Sequence, residues 1–208
     1  MTTAEEHLRR ADPVLAAIMD EVVAGGEAPT LAAGHPEMPL DHYGVLVRAI
    51  AGQNISNIAA RAIYRKLTER YDGRLPTPEE VLAENPDELR TAAGLSHAKT
   101  ASLRSLAEHI RSGAVDLDRL HELPDAAVIT QLTAVKGIGG WTADLFLIFH
   151  LHRPDVLPVG DLELRKVVER RYKLAKPPTP AEFERIGQPW RPHRTLACRY
   201  LWRLRELV

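Results

Sequence analysis

The chain has 208 residues, 45% hydrophobic and 26% charged, with a formal net charge of −1. That balance suits an ordinary folded protein with one large core or two small ones. No apolar run reaches the roughly 18 residues of a membrane span, and one cysteine, Cys198, builds no disulfide framework, cysteine zinc site or iron–sulfur cluster.

Taken in chain order, the pattern is helical. The opening MTTAEEHLRRADPVLAAIMD carries Glu5, Glu6 and Asp12 and lacks a signal-peptide pattern, so a cytoplasmic protein is expected. From Leu40 to Leu67 apolar residues recur at helical spacing: Val45, Leu46, Ala49, Ile50, then Ile55, Ile58, Ala59, Ile63 and Leu67. LPTPEEVLAE reads as a Pro-opened helix start with acidic residues in its first turn. NPDELRTAAG repeats that pattern and ends in Gly94, a C-cap glycine. SHAKTASLRSLAEHIRSG is a further amphipathic helix closing on Gly113, and LPDAAVITQL opens another with Pro124. GDLELRKVVERRYKL, TPAEFERIG and RTLACRYLWRLREL complete the set. No run shows sustained period-2 alternation bounded by hairpin turns, and no repeat stands out. The expectation is an all-α fold of about eight to ten short helices.

Charge is divided unevenly along this chain. From Asp161 to Val208 there are twelve Lys/Arg and six Asp/Glu, so residues 1–160 carry a surplus of seven negative charges. A basic C-terminal quarter fits either a localised anion-binding face or a set of solvated helix faces.

The stretch VKGIGGWTADLFLIFH, residues 135–150, sets three glycines directly before a long apolar run. DAAVITQLTAV leads into Lys136-Gly137-Ile138-Gly139-Gly140, and a new helix is expected from Trp141. Glycine permits a tight reversal and lets a bulky ligand approach the backbone. Ile138, apolar between two glycines, can plug into the core and anchor the turn. The next helix presents free N–H groups and its positive dipole end at that turn, which suits a phosphate. A plain αα-hairpin capped by glycine fits the same residues.

The order of the elements is more specific. Apolar-x-Gly-Ile-Gly-x-Trp-Thr-Ala lies between two helices, and LPVGDLELRK follows with Asp161 twenty residues after Trp141. AIAGQNISNIAARAIYRKL stands upstream and WRPHRTLACRYLW downstream. Together, over residues 43–203, these resemble the helix-hairpin-helix (HhH-GPD) DNA glycosylase superfamily, with the pattern of its 3-methyladenine DNA glycosylase II type. The resemblance implies two helical lobes with a cleft between them. Residues 43–150 would form the central bundle ending in the hairpin, and residues 1–42 with 151–208 the other lobe. The N-terminal β domain of some members would be lacking. The implied function is monofunctional hydrolysis of the N-glycosidic bond of alkylated bases in duplex DNA, during base excision repair, by a monomer. Two other functions stay open: a non-enzymatic helix-hairpin-helix DNA-binding module, and a glycosylase for an oxidised or mismatched base.

The resemblance also distributes roles. Asp161 is the implied catalytic carboxylate, while the residues alone read it as a helix N-cap, and the two are compatible. Breaking the bond builds positive charge on the sugar, which a carboxylate stabilises, and a cationic alkylated base leaves without a strong general acid. Bifunctional relatives such as endonuclease III carry a lysine nucleophile where this chain has Trp141, so no lyase activity is implied. Trp141, Trp202 and Leu145 are the implied base pocket, where a cationic base gains about 0.5–2 kcal/mol over an indole face. Leu145 departs from the aromatic of the similar type, and His193 from its Trp. Core packing is the alternative for either tryptophan and is the reading for Trp190. DNA backbone contacts fall on Lys136, Gly137, Gly139, Gly140 and Thr142, with Arg194 either on phosphate or in a salt bridge. A wedge fills the space a flipped base leaves. Its candidates are Gln53 and Ser56 in one loop and His97 in another, although Gln53 also reads as a backbone hydrogen-bonder that fixes its own turn. A structural monovalent or alkaline-earth cation on the main-chain carbonyls of Thr133, Val135 and Ile138 is implied too. No catalytic cofactor and no iron–sulfur cluster are expected.

Overall fold

The computed structural model describes residues 3–26, 28–30 and 41–207. Among the described residues there are twelve α-helices, two 3-10 turns and no strand. Two of the helices lie in the opening segment, where none was expected. α1 (Ala4–Ala11) opens on a reciprocal cap between Thr3 and Glu6, and α2 (Pro13–Ala24) opens on Asp12 with Pro13 in its first turn. Thr-x-x-Glu and Asp-Pro both satisfy N–H groups that a helix start leaves orphaned, so the signals were present in the sequence.

The periodic stretch ending at Leu67 divides into α3 (His42–Gly52) and α4 (Asn57–Arg70). α5 (Pro78–Ala83), α6 (Pro86–Ala93) and α7 (His97–Arg111) follow, and α6 ends on Gly94 in the left-handed region at φ 71°. After a 3-10 turn at Leu117–Arg119 come α8 (Asp125–Ala134) and α9 (Gly140–Phe149). α10 (Leu162–Arg171), α11 (Pro180–Ile186), a 3-10 turn at Gln188–Trp190 and α12 (Arg194–Leu207) complete the chain. No helix among the described residues is long and apolar enough to cross a membrane.

The described residues fall into two compact units, one drawn from 1–34 and 147–208, the other from 35–146. In the second unit α7 packs on α3, α5 and α6, while α4 packs on α3 and α6. Leu46, Ile50, Leu67, Leu89, Leu103 and Leu106 are buried there. The apolar stripe read along α4 is core only in part. Leu67 is fully buried, but Ile55 is 38% and Ile58 79% exposed, because they belong to the α3–α4 junction and the first turn after it.

The first unit is built on α2, α10 and α12. Leu15, Ile18, Leu164, Val168, Phe183, Trp190 and Leu201 form its core, which settles Trp190 as a packing residue. Its polar centre is Asp12, itself buried. One oxygen, Oδ1, caps α2 by accepting the Val14 and Leu15 N–H groups at 2.9 and 3.1 Å. The other, Oδ2, accepts the Trp190 indole N–H at 2.9 Å and the Tyr172 hydroxyl. Burial beside this carboxylate pushes the Tyr172 phenol far above its ordinary range.

Four donors converge on one side chain, and each loses its partner if the carboxylate is removed. Asp12→Ala is therefore expected to lower stability by about 3 kcal/mol or more, measured by urea unfolding.

Candidate functional site

The glycine turn is fixed from two sides within its own unit. Ile138 and Val135 are buried, and the Ile138 N–H donates to the Val135 carbonyl at 3.0 Å, closing the reversal. Gly137 sits at φ 83°, and a Cβ there would fall 2.2 Å from Ser102 Oγ on α7. Both backbone angle and space demand glycine. Ser105, one turn along α7, accepts the Lys136 N–H at 3.0 Å. Gln53 Nε2 donates to the Gly137 carbonyl at 2.7 Å from the end of α3. Gly139 and Gly140 differ from Gly137: a Cβ on either would meet nothing within 4 Å, and neither has a positive φ. Among the described residues, no contact requires their smallness. α9 starts at this open corner, with the Ala143 N–H already bonded to the Gly139 carbonyl at 3.1 Å.

The loop that supplies Gln53 is the first place assigned to the wedge. Gln53 takes the bracing role left open for it, and Ser56 caps α4 by accepting the Ala59 N–H at 3.3 Å. Between them Asn54 lies at φ 56°, a conformation asparagine tolerates better than most residues. The exposed apolar side chains here are Ile55 in the junction and Ile58 in the first turn of α4, both of which the helical spacing included in its apolar series. Lys99, buried on α7, donates to the Ala51 carbonyl at 2.8 Å near the end of α3, and burial lowers its ammonium pKa. His97, at the start of α7, is exposed, whereas Leu95 beside it is buried.

Along α9, Trp141 is 48% exposed, so core packing does not account for it. Thr142 and Leu145 are half-buried. Thr133 and Lys136 are exposed at the turn.

In the other unit, Asp161 caps α10. Its Oδ1 accepts the Leu164 N–H at 2.9 Å, as the N-cap reading required, and its Oδ2 accepts the Trp202 indole N–H at 3.3 Å. The residue is 7% exposed, and the adjoining Leu162 is half-exposed, so the carboxylate lies just beneath the surface. The tight loop before it is closed by Val159 N–H to Leu157 carbonyl and Asp161 N–H to Pro158 carbonyl, both 2.8 Å. The positive end of α10 faces the carboxylate. Trp202 is half-buried, with its ring 5.3 Å from that of Phe149 and tilted by 35°. The buried Arg199 guanidinium lies 4.9 Å from the Phe149 ring centre.

Arg194 makes the salt bridge that was one of its two readings. Its Nε reaches Asp155 Oδ1 at 2.7 Å and its Nη1 reaches Glu184 Oε1 at 3.0 Å, and the arginine itself is buried. The bidentate pair is the geometry arginine favours with a carboxylate. Asp155 and Glu184 are thirty-nine and ten residues away in sequence, beyond any local motif.

The sequence description of HhH-GPD superfamily base excision DNA repair proteins matches residues 47–192. DNA-3-methyladenine glycosylase 1 of Schizosaccharomyces pombe is 36% identical over 168 residues, 80% of this chain and 73% of that protein. A solved structure of the 3-methyladenine DNA glycosylase of Schizosaccharomyces pombe, in complex with abasic DNA, matches with a TM-score of 0.77 at 34% identity, covering 97% of this chain and 95% of that one. DNA-3-methyladenine glycosidase from Bacillus halodurans matches with a TM-score of 0.80 at 33% identity, covering 97% and 88%.

The two kinds of glycine at the turn separate by stability. Gly137→Ala is expected to cost about 2 kcal/mol in chemical unfolding, from its left-handed angle and the Ser102 clash. Gly139→Ala is expected to stay within about 0.5 kcal/mol of the parent.

Proposed function

The chain belongs to the HhH-GPD superfamily of base excision DNA repair proteins, and from that premise we propose that it is a monofunctional DNA glycosylase releasing alkylated bases from duplex DNA. The observation that carries the reading is Asp161: a carboxylate just below the surface, held at both oxygens, at the positive end of α10. As the glycosidic bond lengthens, the sugar becomes oxocarbenium-like. A carboxylate about 4 Å away stabilises that charge by roughly 4 kcal/mol at an effective dielectric near 20. It also orients the attacking water. The departing base carries its own positive charge, so its loss needs no strong acid.

Trp141 supports hydrolysis over lyase chemistry, because an indole supplies no amine to attack the sugar. Its half-exposed ring is available as a wall for a cationic base. The turn at Gly137–Gly140 grips a phosphate through the N-terminal N–H groups of α9, with Gly139 and Gly140 leaving room for the strand. For the wedge, the exposed Ile55 and Ile58 join the exposed His97, while Gln53 and Ser56 are engaged in holding the fold. The main-chain carbonyls of Thr133, Val135 and Ile138 are hard oxygen donors suited to a monovalent or alkaline-earth cation. The Val135 carbonyl already accepts one N–H and keeps a second lone pair for it. That ion would stiffen the turn and attract phosphate, with no part in bond cleavage.

Asp161→Asn is expected to keep the fold and duplex binding while base release from methylated DNA falls about 10³-fold. Free bases identified by mass are the readout, and the product strand stays intact without heat or alkali. Near-parental release by this variant removes the catalytic role of Asp161, and no release by the parent returns the protein to the DNA-binding-module reading. Ile58→Ala is expected to slow release from duplex DNA about tenfold, with little effect on single strands, where no stack has to be refilled.

A further inference from the structure

The indole N–H of Trp202 is aimed at the same carboxylate that caps α10, and this juxtaposition exceeds what a stacking wall requires. We propose that Trp202 is a positioning residue for Asp161, fixing the carboxylate plane through Oδ2 so that it faces the reacting sugar. The inference rests on the catalytic reading of Asp161.

An N-cap bond alone holds one oxygen and leaves the carboxylate plane able to turn about its last torsion, which is broad for aspartate. Here the Leu164 N–H takes Oδ1 at 2.9 Å and the Trp202 indole takes Oδ2 at 3.3 Å. The two donors come from different helices, α10 and α12, so rotation breaks one bond or the other. Asp12, in the same unit, is held by the same pair of donor types. Its Oδ1 caps α2, and its Oδ2 accepts the indole N–H of Trp190. There the arrangement is structural. Asp12 and Asp161 are comparably buried, at 8% and 7% exposed, and Asp161 adjoins the half-exposed Leu162.

Trp202 is itself held. Its ring lies 5.3 Å from Phe149, and Phe149 lies 4.9 Å from the guanidinium of Arg199. Arg199 is buried and donates to the Ile148 carbonyl at 3.4 Å. A donor that is already oriented stabilises developing charge without reorganising during the reaction.

The test separates the N–H from the ring. Trp202 is replaced by 3-(3-benzothienyl)alanine, which keeps the fused ring and puts sulfur in place of the N–H, and in parallel by Trp202→Phe. Single-turnover release of bases from methylated duplex DNA is measured, together with affinity for a duplex carrying an abasic analogue. The expected result is a loss of roughly tenfold or more in release rate, with affinity unchanged within twofold. The same replacement is made in the Asp161→Asn protein, where it should cost nothing further, since the group it acts through is gone. Parental release from the sulfur analogue overturns the inference and leaves Trp202 as a stacking wall. An equal loss in the Asp161→Asn background overturns it as well. In both cases an impaired Asp161→Asn protein leaves the catalytic reading standing. If Asp161→Asn alone releases bases at the parental rate, the catalytic reading fails and this inference fails with it.

Discussion

A carboxylate placed below the protein surface survives only where donors meet it, and the organisation of this chain follows from meeting that condition at two aspartates. Asp12 ties α2, α10 and the turn before α12 into one core, through two backbone N–H groups, an indole and a phenol. Asp161 uses the same vocabulary at the start of α10. The two are equally buried, Asp12 at 8% and Asp161 at 7% exposed, so depth does not tell them apart. Asp12 gathers the N–H groups of α2, an indole and a phenol, while Asp161 joins α10 to α12.

The glycine turn divides its labour in a comparable way. Gly137 is required from inside, by its backbone angle and by Ser102, while Gln53 and Ser105 hold the groups on either side. Among the described residues nothing requires Gly139 or Gly140 to be glycine, and a Cβ on either would meet open space. Under the proposed function, a rigid inner residue beside unencumbered outer ones suits a corner that grips a DNA strand, because the donors are fixed before the ligand arrives.

The helices, the Gly94 cap, the Asp161 cap and the glycine turn were legible in the sequence, since each depends on residues within a few positions of one another. The opening helices carry equally local signals in Thr3, Glu6 and Asp12-Pro13. What the sequence withheld was partnership over distance. Gln53 meets Gly137 across eighty-four positions, and Trp202 meets Asp161 across forty-one. Arg194 offered two readings until Asp155 and Glu184 were found beside it. Helical spacing also assigned Ile55 and Ile58 to a buried stripe, because period alone does not reveal where one helix ends and its successor begins.

Those isoleucines bear on the chemistry. The large hydrophobic side chains exposed among the described residues are Val23, Ile55, Ile58, Trp141, Leu162 and Leu174. A single exposed apolar residue is unremarkable on any protein surface. Here Ile55 stands in the junction that braces the glycine turn and Ile58 in the first turn of α4 after it, Trp141 stands one residue after the glycine turn, and Leu162 adjoins Asp161. Four of the six therefore belong to segments that chemistry, charge or backbone shape had already singled out. Under the proposed function, an unstacked base, a vacated base step and a sugar ring each offer a flat or apolar surface to side chains of this kind. On that reading, apolar area withheld from the core is recovered where a segment meets DNA.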